Sequence, residues 1–354
     1  MSASPLDHPV LRGLLGDEEA SVFFAFEAEF AAMVAFETAL AEAEAEAGVI
    51  PAEAARAIAI ALGGFRPDMD ALAAATARDG VVVPDLVRQM RAAVGEPHAR
   101  HIHYGATSQD VIDTALAIRL VGLADLISAR LEAVIDELER LGTRDGGVPV
   151  MAHTRMQAAI PVMAARKISS WLEPLKRHRG RFDAVRADLA IVHFGGAAGT
   201  LEKLGDLGAA VRAGLAARLD LADPRGVRHS ERDGIAAFAS CLSLVTGSLG
   251  KFGQDVALLA QSEVGEVKLA SGGGSSAMPH KVNPVGAETL VTLARFNATL
   301  VAGMHQALVH ENERSGAAWT LEWMILPQMA VATAAALRTA RGLAANLSFV
   351  APAR

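Results

Sequence analysis

The segment from Gly273 to Pro284, GGSSAMPHKVNP, carries several groups that could do chemistry. It holds two serine hydroxyls, a histidine, a lysine and an asparagine amide, and its glycines extend a run that begins at Gly272. Adjacent glycines permit tight turns and leave backbone N–H groups free to face an anion. The segment therefore predicts an anion-binding loop between two helices.

Two other interpretations of this loop are disfavoured. A phosphate-binding P-loop needs glycine immediately before its lysine and serine or threonine after it, and it follows a strand. Here His280 precedes Lys281 and Val282 follows, between predicted helices. A flexible interdomain linker is the second interpretation, but Met-Pro-His-Lys-Val-Asn-Pro is an unusual composition for a linker.

A second candidate block is HYGATSQD, residues 103–110. Thr107 and Ser108 lie just before a predicted long helix, so helix capping alone could account for them. His101 and His103 have a spacing that metal ligands can adopt, but no further ligands cluster nearby. We therefore expect no metal.

The elements that must position these residues are predicted to be all-α. Helix-forming residues dominate, and alternating runs of β-branched and aromatic residues are scarce. Apolar periodicity predicts long helices at about residues 114–141, 161–192, 231–270, 285–309 and 319–346, with Pro161 in the first turn of the second. Their apolar residues lie on more than one face, which predicts a bundle completed by partner chains.

Gly247, Gly250 and Gly253 recur at three-residue spacing in the third long helix, where they would let a neighbouring helix approach closely. Shorter helices are predicted at about residues 20–47, 52–62, 69–78 and 84–94. The chain is accordingly divided into a small N-terminal helical domain, residues 1–105, and a central long-helix bundle, residues 106–354.

The composition excludes several classes of protein. With 354 residues, of which 51% are hydrophobic, the chain can bury a sizeable core. The single cysteine, Cys241, excludes an internal disulfide and is interpreted as a buried apolar residue. A net charge of −7 disfavours nucleic acid as a partner but not a small anionic substrate.

The location is predicted to be cytoplasmic. Apolar runs are broken by charge or glycine before they reach the length of a bilayer span, so no membrane partner is expected. The first eight residues lack a basic stretch followed by an apolar one, as a secretory signal requires.

The run Gly274–Pro284 resembles the signature loop of the fumarase/aspartase superfamily, whose members include fumarase, argininosuccinate lyase and adenylosuccinate lyase. The resemblance implies an enzyme that takes a proton from the carbon next to a carboxylate, with Ser275 as its base. Lys281 and the loop amides would favour the ionised hydroxyl and stabilise the aci-carboxylate that forms. The resemblance also assigns substrate contacts to Ser276, Met278, Lys281 and Asn283.

Two further blocks resemble substrate-binding regions of the same superfamily. The first, residues 103–110, implies that the Thr-Ser pair holds a carboxylate. The second is usually Thr-His-Leu-Gln and is Thr154-Arg155-Met156-Gln157 here, so Arg155 stands where fumarase-type members have an acid-catalytic histidine. The resemblance assigns substrate contacts to His103, Thr107, Ser108, Gln109, Thr154 and Gln157.

Additional motifs narrow the resemblance to the 3-carboxy-cis,cis-muconate cycloisomerase branch, which interconverts that muconate and a γ-lactone in protocatechuate degradation. Arginine cannot donate a proton usefully at neutral pH, but opening a lactone releases a carboxylate, which needs no acid. Arg155 is therefore expected to stabilise the emerging charge, and neighbouring His153 is a candidate for proton transfer. The motifs are residues 195–201, 229–233, 247–253 and 313–315, with Trp319, Glu322 and Trp323.

The resemblance also implies a homotetramer with active sites built from three subunits, a small tricarboxylate substrate and no cofactor. Arg232 and Arg314 are candidates to bind its remaining carboxylates, with structural salt bridges as the alternative. The three tryptophans, Trp171, Trp319 and Trp323, are expected to pack in the core or an interface.

The chain stops where the family usually continues, so the small C-terminal helical domain is expected to be truncated or absent. Two other functions stay open at this point: an adenylosuccinate- or argininosuccinate-type lyase that releases fumarate, and a catalytically silent structural homologue.

Overall fold

A computed structural model describes residues 4–270, 272–274, 278 and 281–351. Within these residues the chain is mainly helical, with two short two-stranded sheets, and the predicted all-α class is confirmed. The helices are α1 (Arg12–Leu15), α2 (Glu18–Val22), α3 (Phe26–Glu46), α4 (Ala52–Gly63), α5 (Met69–Asp79), α6 (Val83–Val94), α7 (Ser108–Asp145), α8 (Ala164–Leu189), α9 (Gly208–Arg218), α10 (Asp233–Leu259), α11 (Val285–Gln306) and α12 (Ala317–Asn346). The strands are β1 (Pro149–Thr154), β2 (Gln157–Met163), β3 (Val267–Leu269) and β4 (Leu347–Phe349).

The five long helices α7, α8, α10, α11 and α12 form the bundle. The helix α10 packs against α8, α11 and α12, while α7 packs against α8 and α12. Trp171 of α8 lies in the core with its ring centroid 5.0 Å from that of Phe252. Cys241 is buried in the same core, so its interpretation as a buried apolar residue is confirmed.

Small residues set the distance between α10 and α11. A Cβ atom built on Gly253 would lie 2.5 Å from the Ala287 carbonyl oxygen, and one on Gly250 would lie 2.5 Å from the Cβ of Ala294. The close approach predicted from the glycine spacing is therefore confirmed at these two positions. At Gly247, no described atom beyond its chain neighbours and the backbone of its own helix lies within 4 Å of such a Cβ.

The prediction for the second long helix was wrong at its start. Residues Pro149–Met163 form an antiparallel hairpin, in which Pro161 pairs with Met151, and α8 begins only at Ala164. Proline is tolerated in such a two-stranded ribbon because its missing N–H can lie on an unpaired edge. The third long helix is also shorter than predicted, since α10 ends at Leu259 and β3 follows.

A second apolar core lies under the N-terminal helices. It joins α3, α4 and α6 to the start of α7, to residues 192–219 and to Trp319 of α12. The division of the chain at residue 105 stays a prediction, since this core takes residues from both sides of it.

Two helices, α10 and α12, are long and apolar enough to cross a membrane by length and composition. In each, 61% of the most apolar stretch is buried inside the structure, as expected for the core helices of a bundle.

The bundle has two ends that carry different motifs. At one, the start of α7 meets the starts of α10 and α12: Asp110 Oδ1 lies 2.7 Å from His229 Nε2, and Asp113 accepts from Trp319 Nε1 over 3.0 Å. We call this the Gln109 end. At the other, which we call the hairpin end, β1 and β2 adjoin the segment after α10, where Glu266 accepts from Met151 N. Since α10 has 27 residues, the two ends lie about 40 Å apart.

Candidate active site

Arg232 is the centre of a buried charge network at the Gln109 end. Its Nη1 donates to Asp113 over 2.6 Å, and its Nε and Nη2 donate to the two oxygens of Glu322 over 2.9 and 2.6 Å. The three side chains are at most 1% exposed. Burial acts to lower the pKa of Arg232, but Asp113 and Glu322 outweigh it and raise that pKa. Because both carboxylates occupy this guanidinium, the geometry favours a structural salt bridge over the substrate contact expected for Arg232.

Gln109 is fully buried beside this network. Its Nε2 donates to Asp113 Oδ2 over 3.0 Å and to the His229 carbonyl over 2.8 Å, so both amide hydrogens are used. Its Oε1 accepts from Arg314 Nε over 3.0 Å. The amide is therefore fixed in one orientation. Both polar atoms of the Gln109 side chain thus have partners within the chain, and the substrate contact expected for Gln109 stays a prediction.

Arg314 is exposed and lies in the segment between α11 and α12. Gln109 holds its Nε, and its Nη2 lies 3.3 Å from the Ala197 carbonyl oxygen. The remaining guanidinium hydrogens are available to an anion, and the fork geometry of arginine suits a carboxylate.

Thr107 and Ser108 lie at the start of α7, close to Gln109. Thr107 is the N-cap and forms a capping box with Asp110, whose Oδ2 accepts from Thr107 N over 2.9 Å. The capping role considered from the sequence is thus present. Both residues are only half-buried, and a helix N-terminus favours an anion, so capping and carboxylate binding are compatible here.

His103 precedes this helix start and has a left-handed backbone, with φ of 60°. Its Nδ1 lies 2.6 Å from Oε1 of Glu37, which belongs to α3. The Glu37 side chain is 1% exposed and that of His103 is 14% exposed.

The second block forms the tip of the hairpin at the opposite end of the bundle. Thr154 pairs with Gln157, and Arg155 and Met156 between them have φ of 49° and 67°. Two central residues with positive φ are the mark of a type I′ turn, which glycine and asparagine adopt most easily. All four residues and His153 are exposed, and His153 Nδ1 lies 3.2 Å from the Met151 carbonyl oxygen.

Beneath the hairpin lies a cleft of ≈ 710 Å³ between the strands, α8 and α10. Its walls carry the basic residues His153, Arg155, Arg166, Lys167 and Lys251, and Asp255 is the acidic residue among them. Asp255 accepts from Trp171 Nε1 and pairs with Lys251, and Lys167 pairs with Glu266, whereas Arg155 and Arg166 have no ion-pair partner among the described residues. The cleft is therefore electropositive.

The signature loop is described in part. Gly273 and Asn283 exchange two backbone hydrogen bonds of 2.9 Å, and Asn283 Nδ2 lies 3.3 Å from the Gly274 carbonyl oxygen. Lys281 and Met278 are exposed, and Lys281 N donates to the Met278 carbonyl. The residues expected to act as base and neighbour, Ser275 and Ser276, lie outside the described residues, so their roles stay predictions.

The structure thus brings some of the expected residues together and separates others. Thr107, Ser108, Gln109 and Arg314 share the Gln109 end, whereas the hairpin tip and the signature loop lie at the hairpin end. Within the described part of the chain, no hydrogen bond or ion pair links Arg314 to Lys281 or Arg155. The described residues also contain no group of three or more His, Cys, Asp or Glu arranged to hold a metal ion.

Four acidic residues at the Gln109 end were not singled out as site residues from the sequence. Asp113 and Glu322 bind Arg232, Asp110 accepts from the backbone of Gly195 and Gly196, and Glu37 contacts His103. A signal was present for two of them. Asp110 and Asp113 lie one turn apart among apolar residues of α7, where a charged side chain needs a partner.

Comparisons with known proteins identify the family of this chain. A family model described as Lyase matches residues 15–299. The chain is 41% identical over 321 residues to 3-carboxy-cis,cis-muconate cycloisomerase of Pseudomonas aeruginosa, covering 89% of this chain and 70% of that protein. It is 40% identical to the protein of the same name from Bradyrhizobium diazoefficiens, covering 89% and 71%. The solved 3-carboxy-cis,cis-muconate lactonizing enzyme of Pseudomonas putida matches with a TM-score of 0.89 at 38% identity, over 95% of this chain and 76% of that one.

Proposed function

Because the chain belongs to the lyase family, we propose that it is an intramolecular lyase that interconverts 3-carboxy-cis,cis-muconate and 4-carboxymuconolactone. One observation carries this proposal: relatives at 40 and 41% identity over 89% of the chain are named for this activity. A solved lactonizing enzyme also shares the fold at a TM-score of 0.89. The enzyme acts in the cytoplasm on the protocatechuate branch of aromatic degradation.

The chemistry is a proton transfer coupled to carboxylate addition. In the cyclising direction, a substrate carboxylate oxygen attacks the conjugated diene and forms the C–O bond, and the electron pair moves onto a neighbouring carboxylate as an aci-carboxylate. Ser275 then gives its proton to the carbon beside that group. In the reverse direction Ser275 removes this proton and the C–O bond breaks, returning the pair to the leaving carboxylate. No oxidation state of the enzyme changes, and no cofactor is needed.

Cations hold the substrate charge through these steps. Lys281 and Asn283 bind the substrate carboxylate that becomes the aci-carboxylate. Ser276 and Met278 of the same loop also contact the substrate. Arg155 stabilises the carboxylate that leaves in lactone opening. Support for this role comes from the hairpin tip, where Arg155 is exposed and has no hydrogen-bond or ion-pair partner among the described residues. His153, Thr154 and Gln157 lie beside it.

The active enzyme is a homotetramer whose sites combine motifs from three subunits. The two ends of one chain lie about 40 Å apart, since α10 has 27 residues between them, and a small tricarboxylate cannot span that distance. Arg314 of one subunit must therefore meet Lys281 and Arg155 of others. Exposed apolar side chains on the hairpin support contact with another subunit: Met156 is 70% exposed, Ile160 64% and Met163 55%.

The first test is turnover of 3-carboxy-cis,cis-muconate, followed as loss of diene absorbance. We expect Ser275→Ala to abolish turnover, while Ser262→Ala, at an exposed serine before the loop, keeps it. Full activity of Ser275→Ala contradicts the serine role. Release of fumarate from adenylosuccinate or argininosuccinate by the wild type, without muconate turnover, favours the alternative lyases. A folded tetramer inactive on all of these substrates favours a silent homologue.

The second test addresses the shared site. Arg314→Gln and Lys281→Ala alter opposite ends of the chain, so each homotetramer is expected to be inactive. When the two variants are mixed, unfolded and refolded, some sites receive intact residues from both chains and activity returns. A pair from one end, Arg314→Gln with Ser108→Ala, is the control and should not recover. Failure of the first pair to recover, with tetramers formed, contradicts sites shared between subunits.

A further inference from the structure

We propose that Asp110 is a positioning residue that fixes Arg314 relative to the start of α7, where Thr107 and Ser108 lie. The proposal rests on the proposed function, which assigns these three residues to the carboxylates of the substrate. Asp110 is 0% exposed, so it acts on substrate through Arg314 and not by contact.

The Asp110 carboxylate has four hydrogen-bond contacts, two at each oxygen. Oδ1 accepts from Gly195 N over 2.8 Å and lies 2.7 Å from His229 Nε2. Oδ2 accepts from Thr107 N over 2.9 Å and from Gly196 N over 3.0 Å. Four contacts use the full accepting capacity of a carboxylate. One side chain therefore joins three segments: the start of α7, the loop that holds the two glycines and the segment before α10.

Helix capping accounts for one of these four contacts. Asp110 is the third residue of α7, and its bond to Thr107 N belongs to the capping box. The other three contacts reach residues that are 85, 86 and 119 positions away in the chain. Among the described residues, Asp110 has His229 but no arginine or lysine within ion-pair distance. A buried carboxylate is costly unless its hydrogen bonds are complete, so the contacts with distant segments are what this residue contributes.

Arg314 is held by two hydrogen bonds, and both lead back to Asp110. Its Nη2 donates over 3.3 Å to the carbonyl of Ala197, which directly follows the two glycines that donate to Asp110. Its Nε donates over 3.0 Å to Gln109, whose amide donates in turn to the His229 carbonyl. The ring of that same histidine contacts Asp110. A shift of the Asp110 carboxylate would therefore move both supports of the guanidinium.

The glycine loop also lies close to the block that precedes α7. Gly196 has φ of 70°, and a Cβ atom built on it would lie 2.8 Å from the Gly105 carbonyl oxygen. The two backbones approach too closely for a side chain to lie between them. The loop that supports Arg314 is thus fixed against the block before α7 by backbone contact as well as by Asp110.

The experiment measures kcat and KM on 3-carboxy-cis,cis-muconate for the wild type and Asp110→Asn. Asparagine has the size of aspartate, but its NH₂ group cannot accept, so donors at one of the two oxygens lose their acceptor. Misplacing a binding group by about 1 Å can cost on the order of 100-fold in rate. We expect kcat/KM to fall by about 10- to 100-fold, mainly through a higher KM.

The matched control is Asp17→Asn. Asp17 is also a buried capping carboxylate, 6% exposed, which accepts from Ala20 N and Arg130. Arg130 lies 20 residues after Asp110 on α7, about 30 Å along the helix. This variant loses hydrogen bonds of the same kind far from Arg314, so its KM should equal that of the wild type.

A second background separates positioning from general destabilisation. Lysine at position 314 keeps a cation, and therefore measurable turnover, but lacks the guanidinium fork that the two supports hold. In an Arg314→Lys enzyme, Asp110→Asn should change kcat/KM by no more than about twofold. A fall by the same factor in both backgrounds contradicts the proposal, because the effect then does not pass through Arg314.

The other outcomes are separable. Should Asp110→Asn fail to assemble, Gly196→Ala replaces it, since it keeps the carboxylate but pushes the loop away from Gly105; the same fall, absent in the Arg314→Lys background, is expected. If the wild type turns over the muconate but the assembled variant keeps its KM, or Asp17→Asn raises KM equally, the positioning role is wrong while the proposed function stands. Absence of muconate turnover by the wild type removes both.

Discussion

Gln109 and Arg314, which are 205 residues apart in the chain, are joined by a hydrogen bond of 3.0 Å from the arginine Nε to the amide Oε1. Asp113 and the His229 carbonyl hold the other side of the same amide. The exposed guanidinium therefore takes its position from a buried network. A side chain proposed to bind substrate is thus oriented by buried hydrogen bonds within the chain.

Replacing Gln109 by methionine should release Arg314 without opening a large cavity. Misplacing a substrate-binding group by about 1 Å can cost on the order of 100-fold in rate, so we expect a fall of about 10- to 100-fold in kcat/KM. Steady-state kinetics on 3-carboxy-cis,cis-muconate measure it. The control is Gln328→Met, since Gln328 Nε2 donates to the Met324 carbonyl of its own helix and to no other group in the described part of the chain. Equal activity of the two variants contradicts the orienting role.

Replacing Arg232 by methionine should destabilise the protein strongly. It would leave Asp113 and Glu322 buried without their cation, a change that costs about 3 to 5 kcal/mol. The free energy of unfolding from denaturant titration measures the effect, and Arg56→Met, at an exposed arginine of α4, is the control. If stability were unchanged and KM alone rose, Arg232 would be a substrate contact after all.

Replacing the two turn residues of the hairpin tip should raise the stability of the protein and lower its activity. Arg155 and Met156 have the positive φ values that asparagine and glycine adopt readily. The double variant Arg155→Asn, Met156→Gly is expected to gain about 1 kcal/mol of stability and to lose most activity, because the cation is gone. The melting temperature and kcat/KM are measured on the same preparation. Retained activity argues against a role for Arg155 in lactone opening.

Stability should fall as the solution becomes acidic, and His193 should account for part of this. Burial lowers the pKa of His193 to about 4 from an ordinary value near 6.5. Between these values the unfolded chain binds the proton and the folded chain does not. Protonation of His193 therefore favours the unfolded chain, so the free energy of unfolding is unaffected by it above pH 6.5. The free energy of unfolding falls as the pH drops towards 4, by about 2 to 3 kcal/mol at pH 4.5.

The variant His193→Gln tests this assignment. Its free energy of unfolding should decline less than that of the wild type between pH 7 and pH 4.5, by about 2 to 3 kcal/mol. If the free energies of unfolding of the variant and the wild type decline equally, groups other than His193 cause the acid sensitivity.

Replacing each of two glycines of α10 by alanine should have different effects on the stability of the protein. Alanine favours a helix over glycine by about 1 kcal/mol, so Gly247→Ala, with open space around it in the chain, should be neutral or stabilising. Gly253→Ala would place a Cβ 2.5 Å from the Ala287 carbonyl oxygen, and overpacking of this kind costs about 1 to 3 kcal/mol. Thermal unfolding of both variants gives the comparison. A stabilised Gly253→Ala would mean that α11 can move away.

Periodicity was sufficient to predict the long helices, because each buries a continuous apolar stripe. It failed at the hairpin, where Gln157–Met163 lacks alternation and contains a proline, and where the turn uses Arg155 and Met156 in place of glycine or asparagine. The candidate block around Gln109 was found from its local sequence. The side chains that bind Gln109 could not be found in this way, because the network of Asp113, Arg232 and Glu322 joins positions that only the folded bundle brings together.

The start of α12 is anchored to the start of α7. Trp319 donates to Asp113, and the same carboxylate holds Gln109, so Arg314 is set in place when the bundle folds. The entropy lost in ordering this half of the proposed site is therefore lost once, during folding, and is not lost again each time a ligand binds. In the site proposed above, substrate therefore meets a preordered surface at this end, and we expect any ordering that accompanies binding in the signature loop and the hairpin of the other subunits.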